Sequence, residues 1–260
     1  MVKIIADIGS NWNTIDDIYR SIEKCAELGV HICKFQYFTY EKLYGVEGGI
    51  CKSIPKSWIP NIAKCCEQHD VEFMCTVFDP ADIDFIWDYV WLFKIASPEI
   101  NHLPMLEAIA KYEESPHGVL ISTGCATEQD LKIASEIIPE SRLCFMACDS
   151  TYPSTSAPLQ NLSYLREHYN RIGYSDHSTD NLFGLIIADS FDCEFYEKHF
   201  RLTKITGTPD TNHSLDEYDW RYMIQTYKQW KTDLSADWID QHKPFKRIKK
   251  AHGFFRPVPH

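Results

Sequence analysis

Trp91-Leu92-Phe93-Lys94-Ile95-Ala96-Ser97-Pro98-Glu99 is the stretch that decides the fold. Its apolar part is short and bounded, as a strand buried in a parallel sheet should be. It runs out into a polar turn. Lys94 stands inside the run, where a charge is costly to bury without an anionic partner. Ser97 and Glu99 follow at the strand's end. A cation, a hydroxyl and a carboxylate so close together suit an anionic substrate with an acid/base group beside it. The blander alternative is a lysine whose stem lies along the core while its head reaches the surface.

Working outward, strand-like and helix-like runs alternate. The strands read as Val2–Ile8, His31–Phe35, Glu72–Thr76, Trp91–Ala96, Val119–Thr123, Leu143–Cys148, Arg171–Ser175 and Cys193–Lys198. The helices between and after them read as Thr14–Leu28, Pro60–His69, Pro80–Tyr89, Leu103–Tyr112, Thr127–Ile138, Leu159–His168, Asn181–Asp189 and Asp216–Trp230. In the first helix Ile18, Ile22 and Cys25 mark one face, and Thr14 with Asp17 suits an N-terminal cap. Parallel strands need crossovers of this kind. Eight units predict a (β/α)8 TIM barrel, α/β in class, over residues 1–230. An open doubly wound sheet is the alternative, but no glycine-rich G-x-G-x-x-G turn follows the first strand. Residues 231–260 read as a C-terminal helix and tail with a basic cluster at Lys243–Lys250, more a solvated face than a binding site. Two connections are long, Tyr37–Trp58 and Phe200–Leu215, on the side where barrel enzymes keep specificity.

Composition narrows the function classes. The 260 residues are 44% hydrophobic and carry a formal net charge of −11, which disfavours a nucleic-acid partner. No apolar run approaches the ~18 residues of a membrane span. The start of the chain lacks the pattern of a secretory leader. Ten cysteines are scattered, several inside strand-like runs, and read as reduced core thiols of a cytoplasmic protein.

In a barrel the strands' C-terminal ends converge on one pocket. Those ends present Asp7, Ser10 and Asn11; Lys34 and Gln36; Thr76 and Asp79; Lys94, Ser97 and Glu99; Ser122 and Thr123; Asp149, Ser150 and Tyr152; Ser175, Asp176 and His177; and Glu197, Lys198 and His199. Lysines and hydroxyls suit phosphate by charge and donor count. His177 and His199, each near a carboxylate (Asp176, Glu197), could share one divalent metal and leave positions for substrate oxygens. Each histidine alone reads more simply as a hydrogen-bonded core residue. Taken by themselves, these residues reach metal-assisted chemistry on a phosphorylated or anionic small molecule.

Seven motifs, in order along the chain, carry a resemblance: Ala6–Asn11, Lys34-Phe35-Gln36, Phe93–Ser97, Leu120–Gly124, Tyr152-Pro153, Gly173–His177 and Glu197-Lys198-His199-Phe200. Together they resemble the catalytic barrel of the sialic acid (N-acetylneuraminate) synthases. The resemblance implies condensation of phosphoenolpyruvate with N-acetylmannosamine or a similar amino-sugar aldehyde. It implies that Lys34, Thr76, Lys94, Ser122 and Ser175 hold phosphoenolpyruvate, with Ser97 and Gln36 near it. His177 and His199 would bind Mn2+, with Mg2+ or Co2+ as alternatives. Glu99 would move protons, with Asp7 and Lys94 also in the catalytic group. Tyr152 and Asp210 would contact the sugar.

The pattern departs in places. Asp7 stands where the family usually has glutamate, Asn11-Trp12-Asn13-Thr14 where it has Asn-His-Asn-Gly, and Ser150, a phosphate-contact position, where it often has asparagine. The family's C-terminal antifreeze-like domain, which supplies an arginine to a partner's barrel, has no counterpart in these residues. Arg247 or Arg256 is a candidate substitute, and a homo-oligomer is left open. Two further readings stand beside the synthase: a related phosphoenolpyruvate-dependent synthase with another aldehyde, and a catalytically degenerate ligand-binding barrel.

Overall fold

The computed structural model describes residues 2–45, 52–112 and 118–235, with the backbone of 245–249 and 255–259. Eight parallel strands run in chain order: β1 Lys3–Asp7, β2 Ile32–Tyr37, β3 Glu72–Val77, β4 Leu92–Ile95, β5 Val119–Ser122, β6 Leu143–Ala147, β7 Ile172–Asp176 and β8 Phe195–Arg201. Each pairs with the next, and β1 also pairs with β8, so the sheet closes into the expected (β/α)8 barrel. A two-residue strand, β9 Leu215–Asp216, adds to β8 beyond the ring.

Period-two alternation then sorts the side chains. Ile5, Ile32, Met74, Leu92, Leu120, Cys144, Met146 and Phe195 pack together as the barrel's apolar plug. Two positions further along six of those strands stand Asp7, Lys34, Thr76, Lys94, Ser122 and Glu197, all buried. The same inward face is therefore apolar low in the barrel and polar at its C-terminal end. The residues between, such as Ala6, Phe35, Phe93, Ile121, Phe145 and Tyr174, join the larger core under the helices. Each fully buried aromatic or aliphatic side chain there contributes about 1.5–3 kcal/mol from apolar burial.

Helices cover the outside: α1 Ile15–Leu28, α2 Tyr40–Tyr44, α3 Ile59–Gln68, α4 Ile83–Trp87, α5 Leu103–Ala110, α6 Glu128–Ile137, α7 Leu159–His168, α8 Phe183–Ser190 and α9 Glu217–Ser235. Thr14 and Asp17 form a capping box at the start of α1, and Ile18, Ile22 and Cys25 face the core. Thr127 and Asp130 repeat the device at α6.

The C-terminal end differs from the sequence expectation. α9 runs unbroken past residue 230 to Ser235. Phe245–Lys249 and Phe255–Pro259 then pair as an antiparallel hairpin, where a helix and tail were expected. Arg247 and Arg256 lie on these two strands. The rest of the tail, and residues 46–51 of the long loop after β2, lie outside the described residues. No described helix is long and apolar enough to cross a membrane. The described cysteines are free thiols, and all but Cys125 are buried.

Candidate active site

A cavity of about 430 Å3 opens at the strands' C-terminal ends. Twelve of the residues expected from the sequence line it: Asp7, Lys34, Gln36, Thr76, Lys94, Ser97, Ser122, Ser150, Tyr152, His177, His199 and Asp210. Ser175 lies at its wall, its hydroxyl donating to Glu197 Oε1 at 2.8 Å. A larger groove of about 670 Å3 at the opposite end, by α3 and the start of β3, is lined by Lys64, Glu67, Asp70 and Glu72. Those groups are mostly exposed, and nothing buried and polar converges there. The strand-end cavity is the one with built chemistry.

Strand register brings the charges together. Asp7 is the register neighbour of both Lys34 and His199, Thr76 of Lys94, and Ser175 of Glu197. Lys34 Nζ sits 2.6 Å from Asp7 Oδ2 and 3.8 Å from Glu197 Oε1. Lys94 Nζ sits 3.5 Å from the same Glu197 oxygen and donates to Ser122 Oγ at 2.7 Å. Burial alone would lower the Lys34 ammonium, but Asp7 and Glu197 hold it above the usual lysine range. Burial would likewise raise Glu197, but the two lysines pull it down to about 2. Both groups are thus charged at neutral pH. Five buried polar atoms of this cavity find no hydrogen-bond partner: Asp7 Oδ1, Thr76 Oγ1, Glu197 Oε2, His199 Nδ1 and His213 Nε2. Such atoms cost about 1–3 kcal/mol each unless a ligand or water meets them. Their convergence marks a site built for a guest.

The imidazoles stand on the other side. His177 Nδ1 donates to the Asp149 carbonyl at 2.6 Å, which leaves Nε2 as the lone-pair nitrogen toward the cavity. Burial, and then the neighbouring His199, lowers His177 to about 3, so the ring is neutral. Tyr152 stacks on it with centroids 4.2 Å apart and brings its hydroxyl to 3.3 Å from Nε2. Tyr152 is 54% exposed as a residue, yet desolvation of its hydroxyl end beside His177 raises the phenol above its ordinary value. His199 lies 3.5 Å from Asp7 Oδ2 through Nε2 and 4.0 Å from Asp210 Oδ2 through Nδ1. The donor atoms of His199, Asp210 and His213 all lie within 4.8 Å of one another, and the set suits a divalent ion in residue type and spacing.

The loop after β8 is tied down from β1. Asn11 donates to the Phe200 carbonyl at 3.0 Å and to Ser214 Oγ at 2.7 Å, and accepts from Thr208 Oγ1 at 2.7 Å. Ser10 N–H donates to Asp210 Oδ2 at 2.7 Å, while Asp210 N–H donates to Ser10 Oγ at 3.1 Å. Gly9, at φ +48°, lets the chain turn there, and a Cβ at that position would stand 2.5 Å from Asp210 Oδ2.

Two sequence expectations meet different geometry. Glu99 closes the 3-10 turn Ser97–Glu99, and its carboxylate pairs with His102 at 3.1 Å instead of lining the cavity. The turn sends Ser97 inward and Glu99 sideways. Asp176, taken as a carboxylate near the metal, points outward with Lys198, because alternation along β7 and β8 puts their neighbours Ser175, Glu197 and His199 inside. Sequence reasoning missed His213 and the central place of Glu197. The alternation that sets His199 inward also sets Glu197 inward, so that signal was available. His213 closes the short 3-10 turn Thr211–His213, where no strand alternation applies, and had no comparable signal.

Comparison with known proteins gives the chain's family. The model of the NeuB family matches residues 50–237. Pseudaminic acid synthase of Campylobacter jejuni is 28% identical over 266 residues, covering 92% of this chain and 76% of that protein. Spore coat polysaccharide biosynthesis protein SpsE of Bacillus subtilis is 27% identical, covering 90% and 68%. The SpsE crystal structure superposes with a TM-score of 0.77 at 26% identity, covering 91% of this chain and 70% of that one. N-acetylneuraminic acid synthetase from Leptospira borgpetersenii, crystallised with citrate, shares the fold at a TM-score of 0.79 and 23% identity, covering 92% and 90%. The match spans well over half the sequence, and this chain belongs to the NeuB family of enzymes.

Proposed function

We propose that the enzyme joins phosphoenolpyruvate to the open-chain aldehyde of an N-acylated amino sugar, N-acetylmannosamine-like, giving a sialic or other nonulosonic acid and phosphate. The observation that carries this reading is the two-sided cavity: buried ammonium groups and hydroxyls on one wall, imidazoles with a phenol and Asp210 on the other. The named synthase relatives support it.

In this reading Lys34 and Lys94 hold the phosphate and carboxylate of phosphoenolpyruvate, with Thr76, Ser122, Ser175 and Ser150 donating hydroxyls. Gln36 and Ser97 border the same anion. Tyr152 and Asp210 orient the acceptor's hydroxyls. The methylene carbon of phosphoenolpyruvate bonds to the aldehyde carbon, water adds at the neighbouring carbon, and phosphate leaves by C–O cleavage. The aldehyde oxygen gains a proton, and the added water gives one up. Asp7 and Glu197 each bring to the cavity a carboxylate oxygen without a hydrogen-bond partner, and Asp7 takes this proton in the reading. For Glu99 to do so, its carboxylate must first leave His102. A divalent ion, Mn2+ in this reading with Mg2+ or Co2+ as alternatives, would be held by the imidazoles, His177 and His199 being the expected pair, and would polarise the aldehyde as a Lewis acid. Scattered buried thiols fit a cytoplasmic setting.

The test is phosphate release from phosphoenolpyruvate with Mn2+ across candidate aldehydes. Release with N-acylated hexosamines supports the proposal. Release only with an arabinose or erythrose phosphate would replace the acceptor, and none with any aldehyde would overturn the reaction.

A further inference from the structure

We propose that the buried Asp176–Lys198 pair is a positioning device for the reaction. From behind the barrel wall it fixes the end of β7, and through it the His177 ring and the turn that carries Tyr152. The inference deepens the synthase reading and rests on it for the place of Tyr152 beside the acceptor.

Filling the space does not call for charges. Apolar side chains of the same volume are often as stabilising as a buried ion pair, or more so. What the ion pair adds is direction. Lys198 Nζ carries three protons, and three oxygens receive them: Asp176 Oδ2 at 2.7 Å, the Ser178 carbonyl at 2.7 Å and Ser178 Oγ at 3.3 Å. Asp176 Oδ2 also accepts from Tyr196 Oη at 2.8 Å, and Oδ1 accepts from Ser178 N–H at 2.9 Å. Gly184 of α8 closes over the pair, since a Cβ there would stand 2.2 Å from Asp176 Oδ2. Both main-chain polar groups of Ser178 therefore end on the pair, and an apolar replacement could meet neither.

Ser178 lies past the end of β7, where the ladder no longer sets the backbone; the last register pair is Asp176 with Lys198. A parallel bridge joins Ser178 to Ser154, and Ser154 N–H donates to the His177 carbonyl at 3.0 Å. The His177 ring reaches the other end of the same turn, its Nδ1–H on the Asp149 carbonyl at 2.6 Å. The 149–154 turn is thus gripped at both ends by His177. Tyr152, between the grips, stacks on the ring with centroids 4.2 Å apart. Groups that orient a functional imidazole from outside typically change its site by about 10–100-fold when removed.

Lys198→Met is compared with Asp189→Ala in the full chain. Asp189 ties α8 to α9 through Tyr227 and Lys231, so its loss destabilises the barrel away from the cavity. The first readout needs no substrate. With isotope-labelled histidine, the His177 Nδ1–H resonance is assigned by its loss in His177→Gln, and its bond to Asp149 keeps it sharp and downfield. The second readout is steady-state kinetics with phosphoenolpyruvate and N-acetylmannosamine. In Lys198→Met the resonance should broaden or vanish. The aldehyde's KM should rise about tenfold or more, while that of phosphoenolpyruvate stays within about threefold. Asp189→Ala should leave both readouts as in the parent. Melting temperatures show whether each variant keeps its fold, and Lys198→Gln replaces the methionine variant if that one does not. An unchanged resonance or an unchanged aldehyde KM in a folded Lys198 variant overturns the inference, as does an equal loss in Asp189→Ala. If no aldehyde supports turnover the synthase reading fails, and the resonance still decides whether the pair holds His177.

Discussion

Lys198→Met probes the wall behind the active site. The Lys198 and Asp176 side chains are fully buried, with Nζ 2.7 Å from Asp176 Oδ2. Nζ also donates to the Ser178 carbonyl at 2.7 Å. Asp176 Oδ2 accepts from Tyr196 Oη at 2.8 Å, Oδ1 accepts from Ser178 N–H at 2.9 Å, and Gly184 of α8 packs so close that a Cβ would not fit. Removing the cation leaves a dry carboxylate with two neutral donors and strands the Ser178 carbonyl. Breaking one partner out of a buried pair costs about 3–5 kcal/mol. With a urea slope of about 3 kcal/mol/M, the midpoint should fall by roughly 1–2 M. Burial works against the Asp176 carboxylate, yet Lys198 and Ser178 hold it below the ordinary range. Its contribution is therefore present above about pH 4 and is lost as the pH falls through the folded value. In the variant the unpaired carboxyl shifts above its unfolded value, so protonation relieves the folded state and the deficit narrows as the pH falls from 7 toward 4. Adding Asp176→Asn should recover at least ~1 kcal/mol. A loss below about 1 kcal/mol for Lys198→Met, or a double variant as unstable as the sum of the singles, would refute the reasoning.

Three further outcomes are expected. Lys94→Met should weaken phosphoenolpyruvate binding by ~30-fold or more in calorimetry, about 2 kcal/mol, because it removes one buried cation and leaves Glu197 less compensated; an unchanged constant would remove Lys94 from the anion site. Gly9→Ala should cut synthase turnover at least tenfold, since a Cβ at φ +48° strains the backbone and displaces Asp210; full activity would mean that Asp210 is not held in place for the reaction. Asp17 is raised by burial but pulled down to about 2 by Lys204 and the Asn13 and Thr14 donors. Its stabilisation is present above about pH 4 and lost toward pH 2. Asp17→Ala should cost about 1 kcal/mol at pH 7, allowing for solvent around the half-exposed Lys204, and roughly a third of that at pH 2.5. Equal losses at both pH values in denaturant titrations would count against the charge as the cause.

The barrel was legible because its strands are bounded apolar runs separated by helical patterns, and period-two alternation needs no tertiary information. Ile5 and Asp7, Leu92 and Lys94, Leu120 and Ser122, Phe195 and Glu197 each pair a plug residue with a cavity residue on one face. The same rule, applied more strictly, separates Glu197 and His199 from Lys198, and Ser175 from Asp176. Reading Asp176 as a site carboxylate confused nearness along the chain with nearness in space. Glu99 faces His102 and not the cavity for a related reason: past β4 the alternation stops, and a 3-10 turn decides which way each side chain leaves.

His213 lies further from what local pattern can reach. Nothing in Thr208–Leu215 has a period, so no rule assigns its side chains a direction. The loop's path is set by Asn11 and Ser10, some 190 to 200 residues earlier in the chain, through bonds that exist only once β1 and β8 pair and the ring has closed. The pairing of the eighth strand with the first and the bonds from Asn11 to Phe200, Thr208 and Ser214 together hold the loop that sets the His213 ring against His199. Residues whose place depends on barrel closure carry the least local signal, and here they include a cavity histidine whose buried Nε2 has no hydrogen-bond partner.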